Sequence, residues 1–447
     1  MKSGRISITG NAPIKEILQK IVESAIHAVT PQVLFEKGFR IEGSRLTAFG
    51  KDVDLDRFEN IKCIAIGKCA EPMAYEVEKR LGGRVKGIVA SPVERHFPGK
   101  GFKFYRTGHP LPNAESLRAA EEICSFVSSS GAGDLLIFLI SGGGSASAFL
   151  PVAGLALSDV NKTIRLLFDN GFPIDRINLV RRHLSSLGGG KLAALSPESE
   201  KISLIVSDVV GDDLPSIASG PTVHDVTTPS DAYNFLEASG LLHIIPSSVP
   251  EALLKTQSTF SVADLKNDAA KIIGSNIDSL NAAGKIGKEY RFNTLVLTRS
   301  LAMSTERAAD LLVSVAGTVG IDGKLLPAMI LLGGETTVKV TGTGMGGRNQ
   351  QLVLQALRKL AGLGARERSL NRLTIFSFGT DGKDGNSDAA GAYASSEILG
   401  DLKGGTKEID DYISRNDSNS FFKKYGGLIT TGPTDTNVMD IMGIIVS

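Results

Sequence analysis

Tryptophan is absent from these 447 residues, and aromatic residues of all kinds make up only 6%. Single-stranded nucleic acid is bound on interleaved aromatics and cations, and no such run occurs. The charges nearly cancel, with 49 Lys and Arg against 48 Asp and Glu, a net of +1. No basic stripe is available for a phosphate backbone, so nucleic acid is not an expected partner. Cysteine is scarce. Cys63, Cys69 and Cys124 have neither metal-ligand spacing nor an even disulfide framework, which points to a reducing cytoplasm. Cys69, beside Lys68, reads as a small buried residue rather than a reactive thiol. Long apolar runs are missing too. The longest, LLIFLI, has the length of a buried strand, so no membrane span is expected. The first residues lack the apolar core of a signal peptide.

What is present is a globular composition, 42% apolar and 22% charged, on a chain long enough for two or three domains. Fifty glycines gather in loops after apolar strands, where α/β proteins bind ligands. An amphipathic helix is predicted from Pro13 to Val29 on the spacing of Ile14, Ile17, Leu18, Ile21, Val22 and Ala25. After a polar connection, strands are predicted at Cys63 to Ile66, GIVASP, FKFYR, LLIFLI and KISLIV, with helices between them. Apolar strands without alternation, separated by helices, imply a parallel sheet covered on both faces. The Pro- and Ser-rich residues 243–268 read as a crossing between domains. The second half repeats the strand–helix alternation, with a helix expected over IIGSNIDSLNAAGKIGKEY despite Gly284 and Gly287.

Residues 333–351, GGETTVKVTGTGMGGRNQQ, are the most glycine-rich candidate site. Gly342, Gly344 and Gly347 match G-x-G-x-x-G, with Gly346 beside them. A dinucleotide site would need an acid ending the next strand. The nearest spacing falls on Glu367, before that strand, so the dinucleotide reading fits poorly. Arg348 and Asn349 at the mouth of a helix suit a polyphosphate better, with a glycine-rich hairpin as the plain alternative. Ser141, Gly142, Gly143, Gly144 and Ser145 follow the most apolar strand. They lack the Walker lysine and the G-x-S-x-G elbow, and suit a small anion or simply a tight turn. Lys68 also ends a strand, where it could neutralise a phosphate or carboxylate. Asp208, Asp212 and Asp213 crowd one loop, and Asp381, Asp384 and Asp388 another. Mg²⁺ would explain either cluster, and so would capping and turns. His109 in Gly-His-Pro-x-Pro reads as a turn residue, and His183 as a helix-face residue without a chemical role.

Taken in order, IGKCAEPMA, GHPLPNAES, SGGGSA, NLVRRHLSSLGGGKLA, SDVVGDDLPSIASGPT, GGETTV, GTGMGGRNQ, GTDGKDGNSDAAGA and GPTDTNV resemble the class II glycerate kinases, which carry a C-terminal MOFRL domain. The resemblance runs from about residue 10 to the end. It implies two α/β domains: an N-terminal Rossmann-like parallel sheet over residues 1–248 and a smaller mixed-sheet domain over 249–447, the MOFRL region lying at about 327–447. It places the active-site cleft between them. It also implies a cytoplasmic enzyme that uses MgATP to phosphorylate D-glycerate at the 2-hydroxyl. The alternatives are an NAD(P)H-dependent hydroxypyruvate reductase, a kinase for a related hydroxy acid, and an anion-binding module without turnover. A homodimer is an open expectation.

On this resemblance Lys68, Asp208 and Arg182 are catalytic. Ser141, Gly142, Gly143, Gly144, Ser145 and Lys191 bind substrate. Gly342, Gly344, Gly346, Gly347, Arg348 and Asn349 bind ATP. Glu335, Asp381 and Asp388 hold Mg²⁺. Two positions depart from the family pattern: Gly188 stands where a lysine is common, and Gln351 where an acid is common.

Overall fold

The computed structural model describes residues 6–10, 14–93, 99–256, 265, 268–362, 373–402 and 405–447. Pro13 and Glu367 lie outside these, as does part of the 243–268 stretch. The chain forms two compact units: residues 31–274, and residues 1–30 together with 275–447. A single cut near residue 248 does not describe this arrangement, because the first thirty residues join the C-terminal part.

The unit of residues 31–274 is built on a six-stranded sheet. Its spatial order is Asp268–Gly274, Glu200–Val206, Asp134–Ser141, Asn60–Ile66, Val85–Ser91 and Phe102–Arg106. Every neighbouring pair is parallel. The central strand Asp134–Ser141 is buried along its whole length. Such a strand must be apolar on both sides, which is why LLIFLI shows no alternation. The helix Ala114–Ser128 packs Ala119, Ala120, Ile123 and Val127 against Phe138, Ile64 and Ile88. Asn113 caps that helix, its side chain accepting the Ser116 amide at 2.9 Å. A three-stranded antiparallel sheet, Phe39–Glu42, Arg45–Ala48 and Lys51–Asp54, occupies the expected polar connection. Its strands of four residues are too short and too charged to register as a period. Residues IIG, expected to begin a helix, end the strand Asp268–Gly274, and the helix Asn276–Glu289 follows.

The other unit carries a seven-stranded mixed sheet. Its order is Ser7–Ile8, Leu428–Thr430, Gly391–Ser395, Leu373–Gly379, Asp440–Val446, Ala328–Thr337 and Asn293–Ser304. Only the last two strands pair in parallel. The predicted helix near the N-terminus is Lys15–His27. Its Leu18, Ile21, Val22 and Ala25 share a core with Leu280, Ala283, Met329 and Phe376, so this segment belongs here. Gly287 lies in the helix Asn276–Glu289 because a Cβ there would sit 2.1 Å from Met329 Cε. The glycine that weakens the helix by propensity is what lets it approach the sheet. On the opposite face, Arg348–Gly362 and Thr305–Asp322 pack Leu352, Ala356, Leu312 and Ala308 against Ile330, Ile375 and Ile444. No helix among the described residues is long and apolar enough to cross a membrane.

Candidate active site

In the unit of residues 31–274 the chain builds outward in two directions. From Asn60–Ile66 it adds strands on one side, and from Asp134–Ser141 on the other. At such a switch point the carboxyl ends of neighbouring strands open a crevice that no crossover covers. Lys68 and the glycines 142–144 follow these two strands. Gly67 has φ +115°, and a Cβ there would meet Ser141 O at 2.4 Å, so only glycine fits. The Lys68 amide then donates to Gly142 O at 2.9 Å. Ser141 Oγ accepts the Cys69 amide at 3.0 Å and is fully buried. Its hydroxyl thus ties the two loops together, instead of facing a substrate as expected.

The glycines after Ser141 are small because other side chains occupy the space. A Cβ on Gly142 would lie 1.6 Å from Asp208 Oδ2. One on Gly143 would lie 3.0 Å from His109 Cδ2 and 3.2 Å from Lys68 Cγ. One on Gly144 would lie 2.6 Å from Ala218 Cβ. Lys68, His109 and Asp208 therefore converge on one short loop. The Lys68 ammonium has no hydrogen bond or ion pair among the described residues. His109, read from the sequence as a turn residue, belongs to this cluster. Its ring keeps contact with solvent, yet surrounding protein and the cations of Lys68 and Arg181 push its pKa down to about 4. It is neutral at pH 7. Ser145 Oγ lies 2.8 Å from Ser219 Oγ, beside this loop.

Arg182, expected to be catalytic, and Lys191, expected to bind substrate, are committed elsewhere. Arg182 Nη1 lies 2.7 Å from Asp225 Oδ1, with both side chains buried. Burial alone would raise the Asp225 pKa, but hydrogen bonds from Arg182 and Thr227 hold it below the ordinary range. The Arg182 charge is thereby cancelled inside the fold. The Lys191 ammonium donates to the carbonyls of Ser185 and Arg182 around the end of the helix Ile174–His183. Burial pushes its pKa down to about 8, against the pull of Asp225. Gly188, the family departure, packs on Arg182: a Cβ there would meet Arg182 Cγ at 3.1 Å.

The second locus lies in the other unit, around Arg348. The amides of Thr341 and Gly342 donate to Asn416 Oδ1, that of Gly344 to Arg415 O, and that of Met345 to Asp417 Oδ1. The Gly346 amide donates to Asn386 Oδ1 at 2.8 Å. The glycines sit against residues 415–418 and Asp384, where any Cβ would collide. These amides are paired within the protein, so the loop is not the open phosphate cradle expected of it. The spacing was legible, but the long-range acceptors that consume the donors were not.

Asp384 explains how the helix Arg348–Gly362 starts. Its carboxylate accepts the amides of Asn349 at 3.0 Å and Gln350 at 2.9 Å, and both of their side-chain amides. Burial pushes its pKa up to about 6 against those hydrogen bonds, and Asp440 adds to the rise. Asn349 is thus a buried structural residue. Gln351 donates to Ile413 O at 3.2 Å, a bond that an ionised acid at this position could not make.

Arg348 bridges two acids. Nε and Nη2 reach Asp440 at 2.6 and 3.0 Å, and Nη1 reaches Glu335 at 2.6 Å. Burial opposes its charge, but the two carboxylates hold it protonated well above the usual range. Asp440 was not singled out in the sequence, since one acid opening an apolar strand carries no signal. A Cβ on Gly379 would lie 3.2 Å from Asp381 Oδ1 and 3.3 Å from Asp440 Oδ1, so these carboxylates share one space. Asp388 is exposed. Among the described residues no group of three or more His, Cys, Asp or Glu side chains is placed to hold a metal. The expected ligand set of Glu335, Asp381 and Asp388 is not gathered: Glu335 is spent on Arg348, and Asp388 faces solvent.

Lys68, unpaired among the described residues, shares a glycine loop with Asp208 at the strand ends of one unit, and Arg348 is held by two carboxylates in the other; both units are α/β. Residues 17–254 match the family described as "Domain of unknown function (DUF4147)", and residues 328–440 match the MOFRL family. A D-glycerate 2-kinase of Thermotoga maritima is 34% identical, over 97% of this chain and 99% of its own. A glycerate 2-kinase of Pyrococcus horikoshii is 34% identical, over 97% and 98%. A protein of Agrobacterium vitis with the provisional name of a hydroxypyruvate reductase is 30% identical, over 100% and 98%. The crystal structure of the Thermotoga maritima glycerate kinase matches with a TM-score of 0.81 at 32% identity, over 97% and 99% of the chains. The chain belongs to the glycerate kinase family with a C-terminal MOFRL domain.

Proposed function

We propose that this protein transfers the γ-phosphoryl group of ATP to the 2-hydroxyl of D-glycerate, giving 2-phosphoglycerate and ADP. The observation that carries this reading is that Lys68, unpaired among the described residues, and Asp208 pack on adjacent glycines of one loop at the switch point, in a chain similar over 97% of its length to D-glycerate 2-kinase. Phosphoryl transfer depends mainly on positioning and on neutralising the charge of the moving group. Lys68 supplies a cation that no acid among the described residues pairs with. Asp208 accepts the hydroxyl proton as the glycerate oxygen bonds to phosphorus and the bond to the β-phosphate oxygen breaks. Neutral His109 borders the same loop without adding charge.

Mg²⁺ fits the carboxylate pair over Gly379, since it commonly takes one or two carboxylates and fills the rest of its shell with phosphate oxygens and water. Asp381 would hold it, joined by Asp440 when a phosphate draws Arg348 away from that carboxylate. When bound it would neutralise charge on the β- and γ-phosphates. Arg348 is the cation beside this pair, and a nucleotide phosphate would compete with Asp440 and Glu335 for its guanidinium.

The kinase reading is favoured over hydroxypyruvate reduction because the amides of Gly342, Gly344 and Gly346 in the G-x-G-x-x-G stretch are already paired within the protein and the acid that a dinucleotide site needs is missing. Purified protein given D-glycerate and MgATP should form ADP, with 2-phosphoglycerate identified by phosphorus NMR. Absence of ADP above background, or oxidation of NADPH by hydroxypyruvate, would reverse the assignment.

A further inference from the structure

We propose that Arg181, and not its neighbour Arg182, is the cation that recognises the carboxylate of the hydroxy-acid substrate. This rests on the glycerate kinase reading above.

The two arginines are adjacent in the last turn of the helix Ile174–His183, yet they face different surroundings. Arg182 has Asp225 at 2.7 Å and no charge to spare. Arg181 is only 7% exposed, and its Nε and Nη2 are buried with no hydrogen-bond partner among the described residues. Its Nη1 makes one marginal contact, 3.4 Å to Asn178 Oδ1. The guanidinium lies 6.0 Å from the Phe168 ring, which is weak compensation for the water it has lost. No carboxylate among the described residues forms an ion pair with it. A desolvated guanidinium with two idle donors is unfavourable unless an anion accompanies it. Proximity to the helix C-terminus favours a cation here, but does not satisfy those donors.

Packing ties this arginine to the crevice. Val180 shares a core with Phe149, which follows the glycine loop, and with Leu111, which follows His109. The same helix also packs on the turn Leu214–Ser219. That turn sets Ala218 against Gly144 and Ser219 beside Ser145. The Arg181 charge is felt at the His109 ring, which itself lies against Gly143 and Lys68. Substrate therefore meets two unclaimed cations with separate tasks: Lys68 for the phosphoryl group and Arg181 for the carboxylate. A planar guanidinium with adjacent free donors suits a carboxylate, which can accept two bonds at once.

The test compares wild type with Arg181→Met and Arg181→Lys in the full chain. Arg181→Met should raise the KM for D-glycerate about 100-fold, the loss expected for a charge-assisted contact, while the KM for ATP stays within about twofold. Arg181→Lys keeps a charge in a similar volume and should fall between, and guanidinium added to Arg181→Ala should restore part of the glycerate affinity. Calorimetry of D-glycerate binding without ATP should show the same order, independently of turnover. An Arg181→Lys or Arg181→Met protein that folds and binds glycerate within about threefold of wild type overturns the proposal, as does an equal rise in both KM values. A wild-type protein that binds D-glycerate but forms no ADP would defeat the kinase reading and leave the carboxylate assignment open to the calorimetric comparison.

Discussion

The residues that matter most are those whose charge the fold leaves unspent. Lys68 sits at a strand end without a partner among the described residues, whereas Arg182, Lys191 and Arg348 are each tied to acceptors inside the protein. Replacing Lys68 by Met should lower kcat/KM about 10³-fold with little change in thermal stability, because in the proposed mechanism the charge serves the phosphoryl group and no described residue pairs with it in the folded protein. Steady-state kinetics with a melting curve checks both halves of this expectation. Gly142 offers a second test at the same spot. A Cβ there would overlap Asp208 Oδ2 at 1.6 Å, so Gly142→Ala must move the acid. Activity should drop at least about 100-fold, by displacement of a group that must be placed to within an ångström. A Gly142→Ala enzyme with wild-type kcat would remove Asp208 from the mechanism.

At the scale of elements, two buried groups control how helices begin and end. Asp384 caps the helix Arg348–Gly362 through amides at 2.9 and 3.0 Å. Asp384→Ala should cost about 2 kcal/mol or more, since it removes a cap and leaves buried donors unpaired. Urea unfolding should show the loss, and hydrogen exchange should place it in the first turn of that helix. His183 closes the helix Ile174–His183, with Nε2 2.8 Å from Thr227 Oγ1. Burial pushes its pKa down to about 4, against the pull of Asp225, whereas 6.5 is the ordinary value. Between pH 6.5 and 4 the unfolded chain therefore binds a proton that the folded chain refuses. His183 thus contributes stability at neutral pH that is lost as the pH falls through this window. His183→Gln, which keeps a donor, should flatten the fall in urea midpoint between pH 6.5 and 4.5 relative to wild type. Parallel slopes for the two proteins would contradict the assignment.

For the whole molecule the instructive segment is the N-terminal one. Helix Lys15–His27 and strand Ser7–Ile8 complete the sheet and core of the unit formed by residues 275–447. Ser279 Oγ donates to Ala25 O at 2.8 Å, and Tyr393 Oη to Thr9 O at 3.0 Å. Deleting residues 1–28 should lower the melting temperature and expose apolar surface to a hydrophobic dye, although the MOFRL region lies hundreds of residues away. A deletion variant that melts like wild type would show that the C-terminal unit is complete without this segment.

Local patterns in the sequence determined a good deal. The continuous apolar strands implied a parallel covered sheet, and the order of nine motifs implied the family, because both are written in neighbouring residues. Lys68, the glycines after Ser141, and Asp208 were legible for the same reason: each ends an apolar strand, and parallel strands bring their ends together. Which cations are free was decided only by the tertiary structure. Arg181 and Arg182 are indistinguishable in sequence, and Asp225, forty-three residues after Arg182, cancels one and not the other. The glycine loop 342–347 has the spacing of a phosphate cradle, but Asn386, Arg415, Asn416 and Asp417 supply the acceptors for its amides. Hydrogen bonds and ion pairs are satisfied by whatever lies within about 3 Å, and long-range folding alone determines what that is.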